Sequence, residues 1–251
     1  MELTPQILLV VLPLIFLGGF VDSVAGGGGL ITLPAYLMAG IPAHLAMGTN
    51  KVVNGIGTAT ASVKYFRGGK IKLRPAIISG AAVGTRIALL IPEDILKIMM
   101  LVALPCAAVL LILKKDFGKE SDAPACEYTA QQELVRAALI GLGLGCYDGL
   151  IGPGTGTFMI MAFTMALSMD LLTASGCAKL ANLCSNVASA VLFIISGKVW
   201  WILALPAAVC NALGAFCGAR YAMKGGSKRV RGMIFVVLGL LFIKMGYELL
   251  F

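Results

Sequence analysis

Two stretches of this chain, 19 to 57 and 146 to 186, carry one pattern twice, and that pattern sets glycines, amides and charges inside apolar sequence. The first copy reads GFVDSVAGGGG (19–29) and then GTNKVVN (48–54). The second reads CYDGLIGPGTGT (146–157) and then GCAKLAN (176–182). Asp22 thereby corresponds to Asp148, Lys51 to Lys179 and Asn54 to Asn182. The match runs on, with Gly69-Lys70-Ile71 answering Gly197-Lys198-Val199 and GTRIA (84–88) answering GARYA (218–222), which pairs Arg86 with Arg220. A chain that repeats itself over most of its length is expected to fold as two like halves: 1–113 as the first repeat, 114–133 as a polar linker, and 134–251 as the second repeat.

The solvent of those halves follows from composition. With 59% hydrophobic residues, 13% charged and a mean hydropathy of +0.94, the chain is too apolar for a water-facing surface. Stretches of the length a spanning helix needs, about 20 residues, occur near 5–21, 50–66, 75–91, 95–113, 173–195, 201–223 and 233–251. The first lacks a basic flank and a small-residue cleavage site, so it reads as a membrane helix rather than a secretory signal. Net charge is +8, yet the cations sit in short loops between apolar runs. There they mark topology rather than nucleic-acid binding. Seven cysteines are scattered without a CxxC pair or a Cys/His cluster. They read as packing residues, with Cys177 and Cys184 flanking Lys179 and Asn182, and neither a metal nor another cofactor is implied.

Loop charge also orients the halves, because Lys and Arg gather on the cytoplasmic side. The loop Arg67 to Arg74 holds Arg67, Lys70, Lys72 and Arg74, whereas its counterpart in the second half keeps only Lys198. The following loops reverse this: Glu93 and Asp94 precede Lys97 in the first half, while KGGSKRVR (224–231) carries four cations in the second. The positive side has swapped, which predicts inverted repeats. An odd number of crossings per half follows if 5–40 and 134–169 each leave and return on one face, broken at Gly26–Gly29 and at Gly152-Pro153-Gly154. The expected fold is therefore an all-α polytopic membrane protein of two inverted repeats, each a Gly-broken helical hairpin plus three transmembrane helices.

The breaks carry the chemistry. Consecutive glycines Gly26, Gly27, Gly28 and Gly29 cannot face lipid, because hydrocarbon offers their amides no partner. Gly80 with Gly84 and Gly214 with Gly218, spaced as on a helix, read as close-packing positions instead. Helices restarting near Leu30 and Thr157 would present free N–H groups and a positive dipole end to an anion. Gly154, Gly156 and the hydroxyls of Thr32, Thr155 and Thr157 would add to that site. Lys51 and Lys179, each followed three residues later by an amide (Asn54, Asn182), are costly in a membrane unless they face water, a carboxylate or an anion. The alternative is a lysine that snorkels to head groups. Asn50 and Asn186 would supply further donors. Asp22 and Asp148, just before the breaks, suit proton coupling, a helix cap, or an ion pair for which Arg86 and Arg220 are candidates. His44, after Pro42, reads as a solvated loop residue.

The strings GFVDSVAGGGGLITLP, GTNKVVN, YDGLIGPGTGTF and AKLANLCSN resemble the TauE/SafE family of anion transporters, the sulfite exporter or TSUP family, over nearly the whole chain. The resemblance implies a duplicated helical membrane protein of the prokaryotic cytoplasmic membrane that moves sulfur-containing anions such as sulfite or organosulfonates. It places family-like residues at Asp22, Gly26–Gly29, Asn50, Lys51, Asp148, Gly152, Pro153, Gly154, Lys179, Asn182 and Asn186. The partners it implies are a small anionic substrate and the lipid bilayer. A passive anion channel and a carrier of non-sulfur organic anions are the alternatives. With one histidine and no clustered cysteines an enzyme is disfavoured. Direction, coupling ion and oligomeric state stay open.

Overall fold

The computed structural model describes residues 5–72, 81–92, 94–95, 129–152 and 154–250. Among them the chain is helical without strands: α1 (Pro5–Ala25), α2 (Gly29–Met38), α3 (Ala43–Arg67), α4 (Ala81–Leu90), α5 (Ala130–Leu150), α6 (Thr155–Ala166), α7 (Leu171–Ile195) and α8 (Trp201–Leu250). The all-α polytopic class expected from composition holds. Runs in α1, α7 and α8 are long and apolar enough to cross a membrane. α3 equals α7 at 25 residues, about 37 Å at 1.5 Å per residue, but carries more polar side chains. Ile202, Leu205, Val209 and Leu213 of α8 are exposed at helical spacing, as a lipid-facing stripe requires.

Both hairpins break at the glycines. Gly26 has φ 78°, its counterpart Gly152 φ 90° and Gly154 φ 81°, a left-handed conformation that glycine adopts at little cost. α2 then folds back along α1, with Gly28 seated on Asp22 and on the carbonyl of Gly18 so closely that no Cβ fits. At 10 and 12 residues, α2 and α6 reach only about 15 and 18 Å. Each is about half the length needed to cross a layer about 30 Å thick.

α3 and α7 pack antiparallel through reciprocal contacts. Gly48 lies on the carbonyl of Lys198, and its counterpart Gly176 lies on the carbonyl of Lys70, the counterpart of Lys198. α8 runs alongside α3 in the same direction, from the Asn54–Asn211 contact to Gly68 against Met223. The basic end of α3 and the basic stretch after Met223 therefore lie at one end of the molecule. Gly214 and Gly218 do serve close packing, resting on the backbone of α1 at Phe16 and Phe20.

Several boundaries differ from expectation. α3 starts at Ala43 rather than near 50, because Gly48 and the buried polar side chains of Thr49, Asn50 and Lys51 lower its hydropathy and mask it in a hydropathy reading. α5 starts at Ala130, ahead of 134, where Thr129 and Gln132 form a reciprocal capping box. The basic stretch 224–231 is no open loop: two helices of α8 meet at Gly226 (φ 60°, ψ −158°). The expected span 95–113, most of the linker, Pro153, Arg74 and Gly80 lie outside the described residues.

Two apolar clusters fill the interior. Met47, Val53 and Phe193 belong to one with Ile15, Leu33 and Trp200, while Ala61, Tyr65 and Ala178 belong to the other with Val24, Phe163 and Leu171. α3 and α7 each pass from one cluster to the other, and their polar residues sit at the change-over.

Candidate functional site

At that change-over a polar cavity is lined by Asp22, Gly26, Gly29, Asn50, Lys51, Asn54, Asp148, Gly152, Gly156, Asn182 and Asn186. The two helix breaks meet here: a Cβ on Gly156 would stand 2.6 Å from the Cα of Gly26. Residues 130 positions apart in sequence are thus brought together. The cavity offers about 20 Å³ on the measure by which one ordered water needs about 10–15 Å³. It is wide enough for water and tight for any polyatomic anion.

The lysines do not snorkel. Lys51 donates to the Asp148 carboxylate at 2.7 Å and to the Asp148 carbonyl at 2.5 Å. Lys179 donates to the Asp22 carboxylate at 2.7 Å. The Lys51 side chain is 4% exposed and that of Lys179 0%. Each lysine therefore pairs with the aspartate of the other half. A buried ion pair of this kind is tolerated only when remaining lone pairs are also satisfied. Ser185 donates to the same Asp148 oxygen, and the Gly28 N–H donates to Asp22 at 3.3 Å. The expected alternative partners, Arg86 and Arg220, are exposed instead. Lysine reaches where arginine does not because Lys51 and Lys179 sit on the two helices that cross at the cavity.

Three hydroxyls expected to face an anion are used within the protein. Thr32 donates to Asn50 Oδ1 at 2.7 Å, Thr155 to the Gly152 carbonyl at 2.7 Å and Thr157 to the Ala25 carbonyl at 2.8 Å. The first orients Asn50, leaving its NH₂ as the free end of the amide. The latter two fasten the breaks, since Thr157 of the second half holds the last carbonyl of α1 in the first. Gly27, Gly28, Gly154 and Lys179 stand behind the cavity rather than on its wall. The helix starts at the breaks are uncapped by side chains, at Gly28 and Gly154, whereas α7 is capped by Asp170, which accepts from Leu172 and Thr173 at 3.1 and 3.0 Å. At the breaks the first N–H groups are met by nearby backbone instead, Leu30 donating to the Gly27 carbonyl, Ile31 to that of Gly28 and Thr155 to that of Gly152.

One other reading changes. His44 lies in the first turn of α3, half-buried, with Nε2 3.2 Å from the Ala88 carbonyl. It became helical because Pro42 supplies an N-cap rather than a loop. Cys177 and Cys184 are free and off the cavity wall, Cys177 accepting from the Lys72 N–H at 3.3 Å. Two contributors went unrecognised in the sequence. Ser185 sits three residues after Asn182 and so on the same helix face, and Asn211 is an isolated amide in an apolar run, which is itself a signal. Asn211 Nδ2 donates to Asn54 Oδ1 at 3.1 Å.

An all-helical, multi-pass architecture with a buried charged cavity between two repeated, broken helices defines a membrane transporter rather than an enzyme. A profile of the sulfite exporter TauE/SafE family matches residues 11–245, and the chain belongs to that family. It is 35% identical over 85% of its length to a probable membrane transporter protein, ORF9, of Sinorhizobium sp, covering 82% of that relative. A probable membrane transporter protein of Haemophilus influenzae is 34% identical over 84% of this chain and 83% of its own. The probable membrane transporter protein YfcA of Escherichia coli K12 is 31% identical over 90% and 84%. No solved structure matches the chain.

Proposed function

We infer that this protein is a secondary transporter that moves small sulfur-containing anions across the prokaryotic cytoplasmic membrane by alternating access. The substrate is held between the broken-helix N-termini and the lysines. One observation carries the reading: Lys51–Asp148 and Lys179–Asp22 join the two halves reciprocally around a polar cavity, so the charges that would meet an anion are also the latches between the halves. Separating the halves frees both ammonium groups, and closing them restores both pairs. Asn50, Asn54, Asn182 and Asn186 supply amides suited to oxyanion oxygens. The antiparallel crossing of α3 and α7, which correspond in the repeat, supports inverted repeats and with them a midplane site. The tight cavity fits an occluded resting state. Sulfur is favoured by the family's name, and non-sulfur organic anions are the alternative substrates.

The test is counterflow in proteoliposomes with sulfite, ethanesulfonate, sulfate and acetate. Saturable, trans-stimulated exchange of a sulfur oxyanion supports the reading. Exchange of acetate alone replaces the substrate class, and unsaturable flux without trans-stimulation replaces the carrier with a channel.

A further inference from the structure

The four charged side chains of the site sum to zero: two ammonium groups and two carboxylates, each group matched to one partner in the opposite half. An anion entering this site adds unbalanced negative charge to a buried volume, and it can reach an ammonium only where a carboxylate now sits. Both difficulties end together if the carboxylate takes up a proton. We propose that each negative charge on the substrate is accompanied by one proton, carried on Asp148 first and on Asp22 second, so that the loaded and empty carriers are both electroneutral. This rests on the anion-carrier reading above and adds the coupling ion and its number.

The order follows from placement. Lys51 and Asp148 both line the cavity, so a monoanion meets Lys51 as soon as Asp148 is protonated. Lys179 stands behind Asp22, so the second ammonium is reached only when Asp22 is neutralised as well. The neighbouring elements supply few other titratable groups. Asp148 is faced by Lys51 of α3 and by the Ser185 hydroxyl of α7. Asp22 is faced by Lys179 of α7, with Tyr65 of α3 nearby, its hydroxyl donating to the Ser23 carbonyl at 2.9 Å. At this level α4 and α8 offer Thr85 and Asn211, which do not titrate. The protons balance: each enters from water onto a carboxylate oxygen, the lysines stay protonated throughout, and on release the proton leaves with the anion and the ion pair re-forms.

The experiment uses the full chain in proteoliposomes with two probes of fixed charge, ethanesulfonate as monoanion and sulfate as dianion. The expected result is uptake driven by an inward proton gradient, with one proton per ethanesulfonate and two per sulfate, and with rates unchanged by a valinomycin-set potassium potential. Asp148→Asn should leave ethanesulfonate uptake independent of pH and sensitive to potential. Asp22→Asn should lower the sulfate stoichiometry from two protons to one and make sulfate uptake sensitive to potential, while leaving the ethanesulfonate stoichiometry at one. Wild-type uptake that moves charge, or that moves no protons, overturns the proposal while the carrier stands. Failure of both probes to exchange at all overturns the sulfur-anion reading and this inference with it. The wild-type stoichiometry decides the matter even where a variant fails to insert.

Discussion

The two walls of the cavity are built from corresponding residues and fastened very differently. On the α3 wall Asn50 accepts from Thr32, Lys51 makes two bonds to Asp148, and Asn54 accepts from Asn211. On the α7 side Lys179, behind the wall, makes one bond to a carboxylate that is 13% exposed, and the buried Oδ1 of the lining Asn182 has no hydrogen-bond partner. Duplication supplied the same side chains twice, and both lysines are paired, but only the α3 copies of the amides have their oxygens held. The contrast predicts that the α7 wall rearranges toward a guest and that the α3 wall is the reference it closes against.

The harshest way to break this contrast is to remove each ammonium in turn. Lys51→Ala leaves the Asp148 carboxylate buried with Ser185 alone, and breaking a buried pair in this way costs about 3–5 kcal/mol. Lys179→Ala strands Asp22, which keeps the Gly28 N–H and more contact with the cavity, so its cost should be smaller. Thermal unfolding in detergent should rank Lys51→Ala below Lys179→Ala. The reverse order would make α7 the fixed wall.

A second substitution separates the latch from the ligand site. Replacing both members of the first pair by apolar residues, Lys51→Met with Asp148→Leu, removes the stranded charge and should recover most of the stability lost in Lys51→Ala, since such replacements are often neutral. Transport should stay absent, because the ammonium is gone. Recovery of both stability and transport would reduce the pair to a structural strut.

How much of this was legible follows from what a sequence records. Position in a repeat is local information, so the breaks at Gly26 and at Gly152–Gly154, and the two lysine–amide steps, could be read directly. Contacts between halves are not local. Nothing in the spacing of Asp22 and Asp148 distinguishes Lys from Arg as partner, and the arginines Arg86 and Arg220 proved to be on the exposed side of their helices. The helix start at Ala43 was hidden for the same reason that the site exists: polar residues turned inward lower the apparent hydropathy of α3. The hydroxyls of Thr32, Thr155 and Thr157 look like ligand donors in sequence because their acceptors, the Asn50 side chain on α3, the Gly152 carbonyl in a turn and the Ala25 carbonyl across the break, are set by the fold.

The smallest effect on stability should be the most informative about binding. Asn54→Ala leaves Asn211 without its acceptor and should cost about 1 kcal/mol, whereas Asn182→Ala removes an oxygen that has no hydrogen bond to lose and should leave the unfolding temperature near wild type. The ordering should invert in an affinity measurement. Asn182 is buried on the wall of a polar cavity, and its amide can turn its NH₂ toward an anion without giving up a hydrogen bond from its oxygen. Its loss should weaken ethanesulfonate binding about tenfold, the equivalent of one hydrogen bond of ~1.4 kcal/mol, while Asn54→Ala, whose effect passes through Asn211 and helix packing, should weaken binding less than it weakens the fold. Equal affinity in Asn182→Ala and wild type would mean that the loose wall is loose for a reason other than the guest.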